Sequence, residues 1–92
     1  MRYEWDEAKR EANLIKHGLD FVIAADVYEA DHKLTIPSPR STEMRFVDVA
    51  ELDGELITLS LAYTLRGDAV RVISLRSANR KERRMYDEGK NS

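Results

Sequence analysis

The stretch Ile57-Thr58-Leu59-Ser60-Leu61-Ala62-Tyr63-Thr64-Leu65, then Arg66-Gly67-Asp68-Ala69, then Val70-Arg71-Val72-Ile73-Ser74-Leu75-Arg76, decides the architecture. Its first part alternates apolar and small polar side chains with a period of two, the repeat of a half-buried strand. Arg66-Gly67-Asp68-Ala69 is turn-like, and Val70 to Arg76 is a further strand. Upstream, Asp53-Gly54 is a two-residue hairpin signal between the apolar runs 44–52 and 55–65. Leu34-Thr35-Ile36 is a short strand that Pro37-Ser38-Pro39 should close.

The ends of the chain have a different period. Trp5, Ala8, Ala12 and Ile15 recur at spacings of three and four, one face of a helix with Asp6 and Glu7 at its start and Lys16-His17-Gly18 at its end. Asp20 can cap a second helix carrying the stripe Phe21, Ala24, Ala25 and Tyr28. Asn79 with Glu82 makes a capping box for a last helix over about 80–88, ended by Gly89. The whole reads as one α+β domain over 1–92: a short extended start, two N-terminal helices packed on a mostly antiparallel sheet, and a C-terminal helix.

The turns imply a register. If Asp53-Gly54 is the whole loop, Phe46 faces Leu61, Met44 faces Tyr63 and Arg45 faces Ala62. If 66–69 is the next loop, Leu65 faces Val70, Tyr63 faces Val72 and Thr64 faces Arg71. Alternation then turns Ile57, Leu59, Leu61, Tyr63, Val70 and Val72 to the helices, and leaves Arg45, Thr58, Ser60, Thr64 and Arg71 on the open side.

Composition removes several classes. The 42% hydrophobic content is too high for a disordered chain. No apolar run approaches the ~20 residues of a membrane span, and the charged start Met1-Arg2-Tyr3-Glu4 is no signal peptide. The lack of cysteine excludes disulfides, thiolate metal sites and thiol nucleophiles, and suits the cytoplasm. The net charge of −2 hides a gradient, with residues 1–35 at −3, 36–65 at −3 and 66–92 at +4. Only the last third is suited to meeting a polyanion, although its arginines could equally pair with nearby carboxylates.

The chain has no glycine-rich phosphate loop, no nucleophile elbow and no His-Glu-x-x-His helix. Neither His17 nor His32 has metal-ligand spacing, and Asp26, Glu29, Asp31 and His32 read as a solvated helix end, so no metal or other cofactor is expected. His17 is either a general acid or base or a helix-end cation. Arg45, Arg66, Arg71 and Arg76 are sharper, because a strand tolerates arginine where its face is wet or meets a ligand, and the guanidinium fork fits phosphate oxygens. Metal-free RNA cleavage needs such cations where the crowded phosphorane gathers charge; the plainer reading is positive charge that deters strand aggregation. Tyr86, three residues after Arg83, could share its side and stack on a base or donate a proton, or could pack its ring on the sheet. Trp5 reads as core.

Tyr3-Glu4-Trp5-Asp6-Glu7-Ala8-Lys9, Asn13-Leu14-Ile15-Lys16-His17-Gly18-Leu19-Asp20-Phe21, Tyr63-Thr64-x-Arg66-Gly67, Arg71-Val72-Ile73-Ser74-x-Arg76-x-Ala78 and Glu82-Arg83-x-x-Tyr86 together resemble the BrnT toxins from about residue 3 to 86. The resemblance implies a RelE-like fold and a type II toxin that inhibits translation by cleaving RNA without metal. It also implies a BrnA-type antitoxin whose ribbon-helix-helix part makes the operator DNA contact. Among the matching positions, the register that places Arg45 and Arg71 together makes them the phosphate and transition-state binders, with His17 or Tyr86 for proton transfer and Lys16, Arg66, Arg76 and Arg83 for holding RNA, on or off the ribosome. Leu75 stands where the family pattern suggests a small residue, and the net acidity is unusual for an RNA cutter. A non-catalytic co-repressor and a ribosome blocker that cuts nothing are the competing readings. Leu19, Val22, Ile23, Val27 and Met85 are the apolar residues left for a partner.

Overall fold

A computed structural model of the chain describes residues 1–40, 43–52 and 57–90. The fold is α+β, with three α-helices and a five-stranded mixed sheet. The elements run β1 (Arg2–Glu4), α1 (Glu7–His17), a 3-10 turn (Phe21–Ile23), α2 (Ala24–Tyr28), β2 (Leu34–Arg40), β3 (Glu43–Glu51), β4 (Thr58–Arg66), β5 (Ala69–Ser77) and α3 (Arg80–Lys90). The strand order is β1-β5-β4-β3-β2, antiparallel except for the β1–β5 pair. The extended start is therefore a true strand at one edge of the sheet.

The second loop behaves as its sequence indicates. Arg66 pairs with Ala69 around Gly67-Asp68, with Gly67 at φ 60°, and Leu65–Val70, Tyr63–Val72 and Thr64–Arg71 are opposed. The first loop does not. Glu51 pairs with Thr58, so the connection spans 52–57 and not two residues; Asp53-Gly54 itself lies outside the described residues. The register moves by two: Phe46 faces Tyr63 and Arg45 faces Thr64, in place of Leu61 and Ala62. A shift of two preserves which side each residue faces, so the expected faces survive the wrong loop. Ile57 precedes the strand and is exposed.

Three further corrections have physical causes. Strand β2 runs through Pro37 and Pro39 because it is the outer strand; two residues apart, both turn the missing N–H position toward the same, unpaired side. Helix α1 does not bury Ala8, Ala12 and Ile15, and Ile15 is 88% exposed; the buried residue is Asn13. Helix α3 continues through Gly89 to Lys90.

One side of the sheet is closed by the N-terminal helices. Phe21, Ala24 and Val27 pack with Leu59, Leu61, Tyr63, Val70, Val72 and Leu75, and Trp5 meets Phe21 edge to face. Buried Asp48 accepts from Lys33 Nζ (2.7 Å), Thr35 Oγ1 (2.7 Å) and the Tyr63 hydroxyl (3.0 Å) on this side. Burial, then the Asp48 charge, push the Tyr63 phenol well above the ordinary tyrosine range. Val27 is fully buried, and Leu19 and Ile23 pack against the core, so only Val22 and Met85 of the expected partner residues are exposed.

Candidate phosphate-binding face

The opposite side carries Arg45 and Arg71. Strand pairing lays Glu4, Arg71, Thr64, Arg45 and Ser38 in one row across all five strands, in the order β1, β5, β4, β3, β2. Thr64, 2% exposed, donates its hydroxyl to the Met44 carbonyl (2.8 Å) and lies between the two arginines. Neither arginine is held by a hydrogen bond among the described residues. Arg45 has no ion pair among the described residues, and its Nε is buried without a hydrogen-bond partner. Arg71 makes no hydrogen bond among them either; its nearest carboxylate is Glu4, with Nη1–Oε1 at 3.9 Å. An orphaned buried donor is costly, about 1–3 kcal/mol, unless something else accepts from it.

A bulge extends this face. Tyr63 opposes Val72 but Ala62 opposes Ser74, which leaves Ile73 as the extra residue on β5. Beyond it the parity of β5 reverses: Leu75 turns to the helices and is fully buried, while Arg76, opposite Ser60, joins the side that carries Arg71. The bulged Ile73 and Ser74 line a shallow groove with Lys9, Ala12, Asn13, Lys16 and His17 of α1. Ser74 pairs with Ala62, two residues from Thr64 on β4, so this lining residue shares the arginine side. The Asn13 amide fixes its wall, donating to the Leu75 carbonyl (2.8 Å) and accepting from the Leu75 N–H (3.1 Å).

The remaining candidates are placed differently. Arg66 makes a loose, exposed pair with Glu43 (3.5 Å). Arg76 is gripped by both Glu82 oxygens (2.9 and 3.0 Å), which holds its pKa above the ordinary value. Glu82 also accepts from the Asn79 N–H, while Asn79 Oδ1 accepts from the Glu82 N–H, the reciprocal cap expected from sequence. Tyr86 is buried against the His32 ring, whereas Arg83 is exposed, so the two do not share a side; Glu82 and Tyr86 do. Helix α3 thus covers the Ser60–Arg76 end of the face and leaves the Arg45–Arg71 row open. Sequence reasoning missed Asn13 and Glu4, though both stood in the quoted motifs.

Fold and site together define a small α+β domain with two arginines in one row on an open sheet face. Within that class, the chain belongs to the family described as "Ribonuclease toxin, BrnT, of type II toxin-antitoxin system", whose model matches residues 5–82. It is therefore a type II ribonuclease toxin by family, which implies an antitoxin partner. Arg83 and Tyr86 lie beyond the matched segment, and Glu4 lies just before it. No curated protein matches the chain. Among the described residues no helix is long and apolar enough to cross a membrane.

Proposed function

We propose that this chain is a metal-independent endoribonuclease of RelE-like fold that arrests translation in the cytoplasm until a BrnA-type antitoxin neutralises it. The antitoxin supplies a ribbon-helix-helix part, and operator DNA is contacted only through it. The observation that carries the reading is the orphaned Arg45 Nε, one strand from Thr64, with unbonded Arg71 on the other side. Arg45 and Arg71 stand two strand spacings apart, about 10 Å between backbones, a span two arginine side chains can close over one phosphate. Two guanidinium forks there satisfy the stranded donor and meet the charge that grows on the phosphorane. Lys16 and His17, with Lys9, line the groove into which the adjoining RNA would run. Arg66 and Arg83 stay exposed at the margins, while Arg76 answers to Glu82.

Induced expression without antitoxin, with RNA 5′ ends mapped in the cell, tests this. Wild type is expected to arrest growth and create new ends, and a folded Arg45→Ala, Arg71→Ala variant is expected to lose both. Arrest without new ends would replace cleavage by ribosome blocking. Neither arrest nor ends from folded wild type would leave a co-repressor.

A further inference from the structure

We infer that Glu4 is the general base of the cleavage reaction, an assignment that rests on the phosphate site proposed at Arg45 and Arg71. Strand β1 pairs in parallel with β5 so that Glu4 lies directly opposite Arg71, and its carboxyl stands 3.9 Å from the guanidinium. Both side chains are about one-third exposed, at 34% and 29%, so the pair is sheltered yet open to a ligand. At 3.9 Å no hydrogen bond joins them, and the Glu4 carboxyl makes none with any described residue. Three other carboxylates near the sheet have closer partners than Glu4 has. Asp48 is buried on the helix-covered side with three donors. Glu82 is held by Arg76, Asn79 and Ser60. Glu43 pairs with Arg66 at the sheet end. His17 sits at the far end of α1, which begins at Glu7. There it lines the groove with Ile73 and Ser74, beside the bulged part of β5, whereas Glu4 lies directly opposite Arg71.

The chemistry follows from the placement. With a phosphodiester held by Arg45 and Arg71, the Glu4 carboxylate takes the proton of the 2′-hydroxyl on the 5′ side of the scissile bond. The 2′-oxygen forms a bond to phosphorus, the bond from phosphorus to the 5′-oxygen breaks, and that oxygen takes a proton from solvent. The products are a 2′,3′-cyclic phosphate and a 5′-hydroxyl, and no redox partner or cofactor enters the balance. A general base must come within hydrogen-bond reach of its proton. A carboxylate beside the phosphate-binding guanidinium, and not bonded to it, meets that condition once RNA arrives.

The test uses the purified full chain, a single-stranded RNA oligomer, and the all-2′-deoxy oligomer as a binding probe. Glu4→Gln is expected to cut at least about 10²-fold more slowly, to bind the deoxy oligomer as tightly as wild type or tighter, and to lose the acid limb of the wild-type pH–rate profile. Glu4→Asp is expected to restore part of the rate and keep that limb. Full activity in Glu4→Gln with cutting wild type, or a 5′-phosphate on the wild-type product, overturns the assignment and leaves the phosphate site standing. Weakened probe binding by folded Glu4→Gln also overturns it, in favour of a purely structural role. Should Glu4→Gln fail to fold, Glu4→Asp decides: a slowed rate with binding intact supports the base, and an unaltered rate removes it. Wild type that cuts no RNA removes the proposed function and this inference together.

Discussion

The two hydrogen bonds between the Asn13 amide and the Leu75 backbone complete the outer side of β5 where β1 has ended. Strand β1 pairs with residues 69–71 only, and the chain then turns at Asp6 into α1, which continues along the same edge. Leu75 would otherwise present an N–H and a carbonyl to a packed helix with nothing to meet them. Leaving such groups unmet costs about 1–3 kcal/mol each. Asn13→Ala is therefore expected to lower unfolding free energy by about 2–4 kcal/mol in urea titrations. Asn13→Asp should cost at least as much near neutral pH, because it keeps the acceptor for Leu75 N–H but sets an oxygen against the Leu75 carbonyl. An Asp variant as stable as wild type would refute this account of the edge. None of it was legible from periodicity, because asparagine is a middling helix former and the Ala8–Ala12–Ile15 spacing pointed to another side of α1. A polar residue in mid-helix was the only available signal.

Elements were legible where local chemistry fixed them and obscure where pairing did. The caps expected at Asp20 and Asn79 each find the backbone N–H that their position predicts, and Asp6, read as a charge at the helix start, caps α1 as well. The Ile73 bulge leaves no mark in the sequence, yet it alone turns Leu75 inward and Arg76 outward. Prolines mark a strand end unless the strand is an outer one, and pairing, not local sequence, makes β2 outer. In α3 the cap and the Arg76 grip meet on one carboxyl. Partial burial pushes Glu82 upward, but bonds from Arg76, the Asn79 N–H and Ser60 outweigh it and hold the carboxyl below its ordinary 4.5. A carboxyl lowered by folding adds stability that is complete above its unfolded value and disappears as pH falls through the folded one. Asp20, lowered by Arg10 and by the Val22 N–H, acts in the same sense. Thermal midpoints are therefore expected to fall on acidification below about pH 4.5, and Glu82→Gln is expected to shrink that fall while lowering the midpoint at pH 7. Asn79→Ala should cost about 1 kcal/mol at pH 7. A Gln variant with an unchanged acid transition would show that the α3 latch contributes nothing to it.

At the scale of the whole molecule, the acidic average and the cationic face have to be reconciled. The net charge of −2 leaves most of the surface repelling a polyanion. Bulk composition therefore gave no hint of this face, while the parity of Arg45 on β3 and Arg71 on β5, either side of β4, put the two on one face even from a misjudged loop. Under the proposed function, single-stranded RNA meets few cations: Arg45 and Arg71 on the row, with Lys9 and Lys16 along the groove. Each phosphate neutralised on a single strand adds about −0.7 to the slope of log affinity against log salt. Four contacts give a slope of about −3 for a non-cleavable RNA analogue, shallow beside a basic RNA-binding protein. The Arg45→Ala, Arg71→Ala variant should flatten it by about 1.4 units. Lys9→Ala and Lys16→Ala together should flatten it equally if RNA follows the groove, and not at all if RNA leaves the row toward β2. Fluorescence anisotropy between low and physiological salt separates these outcomes. A variant lacking both arginines that kept the wild-type slope would move the RNA off this face, and the catalytic assignment with it.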